Sequence, residues 1–80
     1  MEREFLLGVS LMVDQSGVKV VDAPVLPLLM RAESASGALE LFASRVDGQI
    51  LERIEIGDAR IRASVDIDQK VYGVIVGTPA

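Results

Sequence analysis

Eighty residues without cysteine or histidine carry no disulfide, no thiolate chemistry, and neither the commonest general base nor the commonest metal ligand. Half of the residues are apolar and a quarter are charged, which excludes an intrinsically disordered chain and leaves one small domain, 1–80. Twelve acids against eight bases give a formal net charge of -4, and with Lys19 and Lys70 the only lysines there is no basic stripe for phosphates, so no nucleic-acid partner is expected.

No apolar run suited to a leader follows the charged start Met1-Glu2-Arg3-Glu4. The most apolar stretch, Val18 to Met30, is broken by Lys19, Asp22, Pro24 and Pro27, so no membrane span is expected. These features lead to the expectation of a cytoplasmic protein. A domain of this size buries only about 60–65% of its unfolded surface. With so many apolar residues, some should stay exposed in a lone chain, and self-association is the leading expectation.

Residues 4–13 read as a strand, with Phe5, Leu7, Val9, Leu11 and Val13 on one face. The other face, Glu4, Leu6, Gly8, Ser10 and Met12, is only half polar. Asp14-Gln15-Ser16-Gly17 reads as a turn, and Val18 to Asp22 as a short returning strand. Pro24 lacks an N–H, so pairing should break or bulge there. Val25 to Ala32 is a further extended run that Pro27 confines to an edge or an irregular start.

Ser34 to Asp47 is the helix, with Ser34 as N-cap and Gly48 ending it in the left-handed conformation. Ala35, Ala38, Leu39, Phe42 and Val46 share one face, and Ser36, Glu40, Ser44 and Asp47 the other. Gln49 to Ile56 and Ala59 to Asp68 flank Gly57-Asp58, which suits a hairpin with a two-residue turn. That register sets Ile54 opposite Ile61, Ile50 opposite Val65, Glu55 opposite Arg60, Arg53 opposite Arg62 and Glu52 opposite Ala63. A last strand, Val71 to Val76, is apolar on both faces and needs cover on both sides. The expected fold is α+β: an N-terminal β-hairpin, one α-helix and a C-terminal antiparallel β-meander, ββ(β)αβββ. The helix lies on a face containing Ile54, Ile56, Ile61 and Val65, and copies join through the first or last strand.

Chemistry-bearing constellations are sparse. Arg53, Arg60 and Arg62 are expected on one surface, where guanidiniums grip a phosphate or carboxylate, with Tyr72 available to stack on a ring. Glu52 is an anomaly, a carboxylate on an apolar face that needs a partner or water. Asp66 and Asp68 share a strand face, but the oxygen-rich loop of a calcium site is missing. No histidine stands ready to activate a serine, and no phosphate-binding glycine loop occurs. No catalytic residue, metal site or cofactor is expected.

The leading functional expectation is a non-enzymatic, homo-oligomeric binding or assembly module, as in a small viral or accessory protein with a protein partner. The alternative is a binder that sequesters an anionic, nucleotide-like small molecule at a subunit interface through Arg53, Arg60, Arg62, Tyr72 and Glu52. A carboxylate enzyme using Glu52 and Asp66 ranks last, since the expected register sets the two acids on opposite faces.

Overall fold

Phe5, Leu7 and Val9 alternate with Leu6 and Gly8, and this period of two builds the longest strand, β1 (Arg3–Gln15). The computed structural model describes the backbone of residues 1–15, 18–24, 27–57 and 59–79, and the side chains of those outside 13–24. The other elements are β2 (Val18–Pro24), β3 (Leu28–Ala32), α1 (Ala35–Arg45), β4 (Gln49–Glu55), β5 (Ile61–Ile67) and β6 (Lys70–Gly77). One antiparallel sheet runs in the order β2-β1-β6-β5-β4, with β3 also paired to β1. The expected α+β architecture, with the helix on one face of the sheet, is the one observed.

Leu6 pairs with Leu29 of β3 on one side and Gly77 of β6 on the other, while Leu11 pairs with Ala23 of β2 and with Tyr72. β2 and β3 therefore share one edge of β1. Pro24 ends β2 and Pro27 precedes β3, and neither can donate to a ladder. The irregularity expected near Pro24 lies between Leu11 and Met12 of the partner strand. Asp14 and Gln15, expected in a turn, still pair with Lys19 and Val18, while Ser16, Gly17, Val25 and Leu26 lie outside the described residues. β1 and β6 each have neighbours on both sides, so the first and last strands offer their open face rather than an edge. The terminal strands are β4 and the β2/β3 pair.

Ser34 caps α1 as expected: it is extended, and its hydroxyl accepts from the Gly37 amide at 3.0 Å. Ala35, Ala38, Leu39, Phe42 and Ala43 are buried, and Val46 packs against the core from the C-cap. At the C-terminus the Gly48 amide donates to the Ala43 carbonyl at 2.8 Å and the Asp47 amide to that of Ser44 at 3.3 Å. This is a Schellman arrangement. Its left-handed residue is Asp47, with φ 55°, and not Gly48. Gly48 is required for another reason: a Cβ there would lie 2.9 Å from Val65 Cγ1 and 3.1 Å from the Asp66 carbonyl. The helix end thus sits directly against β5.

The β4–β5 ladder departs from the expected register in one step. Ile50 faces Val65 as expected, but a bulge at Leu51 sets Glu52 opposite Ser64, Arg53 opposite Ala63, Ile54 opposite Arg62 and Glu55 opposite Ile61. The hairpin closes with the Ile56 amide donating to the Arg60 carbonyl at 2.8 Å, in place of a two-residue turn with Ile56 opposite Ala59. Because side chains alternate, one extra residue exchanges the faces of all that follows. Arg53 turns to the helix side, while Glu52, Ile54 and Ile56 turn away. The core therefore joins α1 to Phe5, Leu7, Val9, Ile61, Val65, Val74 and Val76, without Ile54 or Ile56.

Candidate functional site: the open face of the sheet

The helix covers one face of the sheet, and the other face is built from the alternate residues of each strand. β1 contributes Leu6, Gly8, Ser10 and Met12, and β6 contributes Val71, Gly73, Ile75 and Gly77. Arg62, Ser64 and Asp66 come from β5, Glu52 and Ile54 from β4, and Leu29 from β3. Leu29, Ile54 and Ile75 are 56–60% exposed, and Leu6, Leu51 and Ile56 are also solvent-facing. Six large apolar residues thus stand exposed on or beside one face, with Arg62 between Ile54 and Ile75.

Glycines shape it. Gly8 has nothing within 4 Å of where a Cβ would stand, whereas at Gly73 a Cβ would lie 3.2 Å from Met12 Sδ. Met12 thus lies across the bare backbone of Gly73. The resulting trough has a volume of about 730 Å³. Met12, Gly73 and Ile75 line its apolar side, and Glu52, Arg62 and Ser64 its polar side. That size lies within the range of small-molecule pockets.

The structure divides the arginine surface that the regular register implies. Arg62 lies on the open face, and Arg60, two residues earlier, is exposed just before that strand begins. Arg53 lies on the helix side: its Nη1 donates to Ser36 Oγ at 2.7 Å, and its Nη2 is 3.9 Å from Glu40 Oε1. Tyr72 is half-buried against the core, on the face opposite Arg62. Arg53 and Tyr72 therefore do not meet Arg62 at one ligand. Glu52 is no longer anomalous, since it is exposed and opposite Ser64 rather than Ala63. Glu52 and Asp66 share the open face, contrary to the expected register. Among the described residues no group of three His, Cys, Asp or Glu could hold a metal ion.

Leu6, Met12, Leu29, Leu51, Gly73 and Ile75 lie on or beside the open face and belong to none of the charged constellations legible in the sequence. The signal for Leu6, Met12, Gly73 and Ile75 was the half-polar second face of β1 and the doubly apolar last strand.

Among the described residues no helix is long and apolar enough to cross a membrane. A scan of protein-family models, a search of curated proteins and a search of solved structures each give no match to this chain.

Proposed function

We propose that the chain is a non-enzymatic, homo-oligomeric binding and assembly module whose open sheet face seats another copy of itself. One observation carries this reading: Leu6, Leu29, Leu51, Ile54, Ile56 and Ile75 are large apolar residues exposed on or bordering a single face. Two sheets packing face to face interdigitate such rows at a spacing of about 10 Å. The magnitudes set a limit. Fully burying one such side chain stabilises by about 1.5–3 kcal/mol, and these are already half covered, so the two rows of a face-to-face pair yield about 9–18 kcal/mol. Association costs an estimated 4–15 kcal/mol. The two ranges overlap, so contacts beyond the face decide how stable the assembly is.

The test is solution mass by sedimentation, from micromolar to millimolar chain, for the native protein and for Ile75→Glu and Leu6→Glu. The expected result is a defined oligomer whose mass falls in both variants while circular dichroism is unchanged. A native chain that stays monomeric throughout overturns the reading.

The trough favours a second reading, an anionic small molecule with an apolar body held by Arg62 above Gly73 and Met12. It uses Arg62 without Arg53 or Tyr72. Native mass spectrometry of freshly purified protein tests it: extra mass that disappears in Arg62→Ala supports it, and bare chains do not.

A further inference from the structure

We infer that β4 is a self-complementary edge, through which two copies join antiparallel about a two-fold axis at Ile54; this deepens the homo-oligomer reading and rests on it. β4 ends the sheet, and every residue from Leu51 to Ile56 is exposed. The Ile56 amide donates inward to Arg60. Antiparallel ladders alternate bonded and non-bonded pairs, so Ile54 and Glu52 also direct their main-chain groups to β5. The N–H and C=O groups of Arg53 and Glu55 then point outward, away from the sheet.

Side chains decide the register. In a two-fold antiparallel pair, residues equally far from the axis face each other on the same side. An axis at Ile54 sets Arg53 against Glu55 of the second copy, twice, at hydrogen-bonded positions, with Ile54 against its own counterpart. An axis at Glu52, Arg53 or Glu55 instead sets a charge against its own copy. Opposite charges across strands stabilise, and like charges directly opposite destabilise. The pattern Glu52-Arg53-Ile54-Glu55 therefore admits one register and rejects its neighbours.

Arg53 is already held in place by Ser36 and Glu40, at 2.7 and 3.9 Å, and its guanidinium has five donors to share. Among the described residues Glu55 makes no ion pair. Charges on an edge strand commonly protect it from pairing. An edge that also exposes Leu51, Ile54 and Ile56, at 48–58%, is not protected in that way. Joining at β4 makes one sheet from two of six strands and runs the two open faces together. It adds the contacts that the face alone lacks.

Two experiments test the edge. Glu55→Arg sets arginine against arginine, and Arg53→Glu sets glutamate against glutamate. Each variant alone should show about half the native mass, and an equimolar mixture should recover it, because only the mixed pair matches charges at both positions. Glu55→Arg leaves the Ser36 and Glu40 contacts intact, so it remains informative if Arg53→Glu folds poorly. The second experiment uses the absence of native cysteine. A non-bonded antiparallel pair brings Cα atoms to about 4.5 Å, within reach of a disulfide. Ile54→Cys should therefore cross-link to a dimer under mild oxidation much faster than Ile56→Cys, whose counterpart lies four residues off register.

Native mass in Glu55→Arg, or equal cross-linking of the two cysteine variants, overturns the edge inference and leaves the face reading standing. A native chain that is monomeric at every concentration removes both.

Discussion

Gly48 is fixed by space rather than by backbone angle. A methyl group there meets Val65, the Asp66 carbonyl and Ile67, all within 3.1 Å. The helix end and β5 cannot both stay in place, so Gly48→Ala should destabilise by about 1–3 kcal/mol, the usual range for overpacking. Urea unfolding measures this, and an unchanged midpoint would show that the junction yields. The β5–β6 turn shows the converse case. Asp68 and Gln69 both have positive φ, 53° and 67°, as a two-residue type I′ turn requires. The Gln69 amide reaches Asp66 Oδ1 at 3.1 Å, while its side chain has a left-handed backbone to tolerate. Gln69→Gly keeps the amide and relieves about 1 kcal/mol of strain. The melting temperature should rise by about 4–8 °C. A lower melting temperature would mean that the Gln69 side chain contributes more than the strain removes.

At the scale of the element, β4 turns on Leu51. A regular ladder would set Glu52 on the core side against Ala63 and bury Ile54 and Ile56. Desolvating an unpaired carboxylate costs several kcal/mol. Leaving the two isoleucines half-exposed forfeits less, about 1 kcal/mol each, and a covering copy recovers it. The bulge also delivers Arg53 to Ser36 and Glu40. Period-two alternation made the β strands readable, and Ser34 made the helix start readable, because both signals are local. The bulge left a trace only in the misfit of Glu52, since its cause is a comparison of two whole registers. The arginine cluster was misplaced for that reason, while Arg62 kept its expected face because β5 is regular. Deleting Leu51 should give a regular ladder with every later pairing retained. Proton NMR should then still place Arg53 opposite Ala63, with the Arg53–Ser36 bond intact. A contact between Ile54 and Ile61 in the deletion variant would refute the bulge as the cause.

The whole molecule carries more surface than its mass requires. Its accessible area is 5416 Å². A compact monomer of 8.6 kDa is expected near about 4,700 Å². The extents of 43 × 24 × 21 Å give the reason, a sheet longer than one eleven-residue helix can cover. Without disulfides, a domain this small has little stability to spare. If copies cover one another, association and folding are linked, and stability depends on chain concentration. Each tenfold rise in concentration adds about 1.4 kcal/mol per dimer, or about 0.7 kcal/mol per chain. For a domain of this size that is a rise of about 3–5 °C in melting temperature. Calorimetry over two decades of concentration should show the rise, and the slope should flatten in Ile75→Glu. A melting temperature independent of concentration, in a chain that sediments as a monomer, would mean that the open face stays wet. The surplus area would then belong to a different partner, and the self-assembly reading would fall with it.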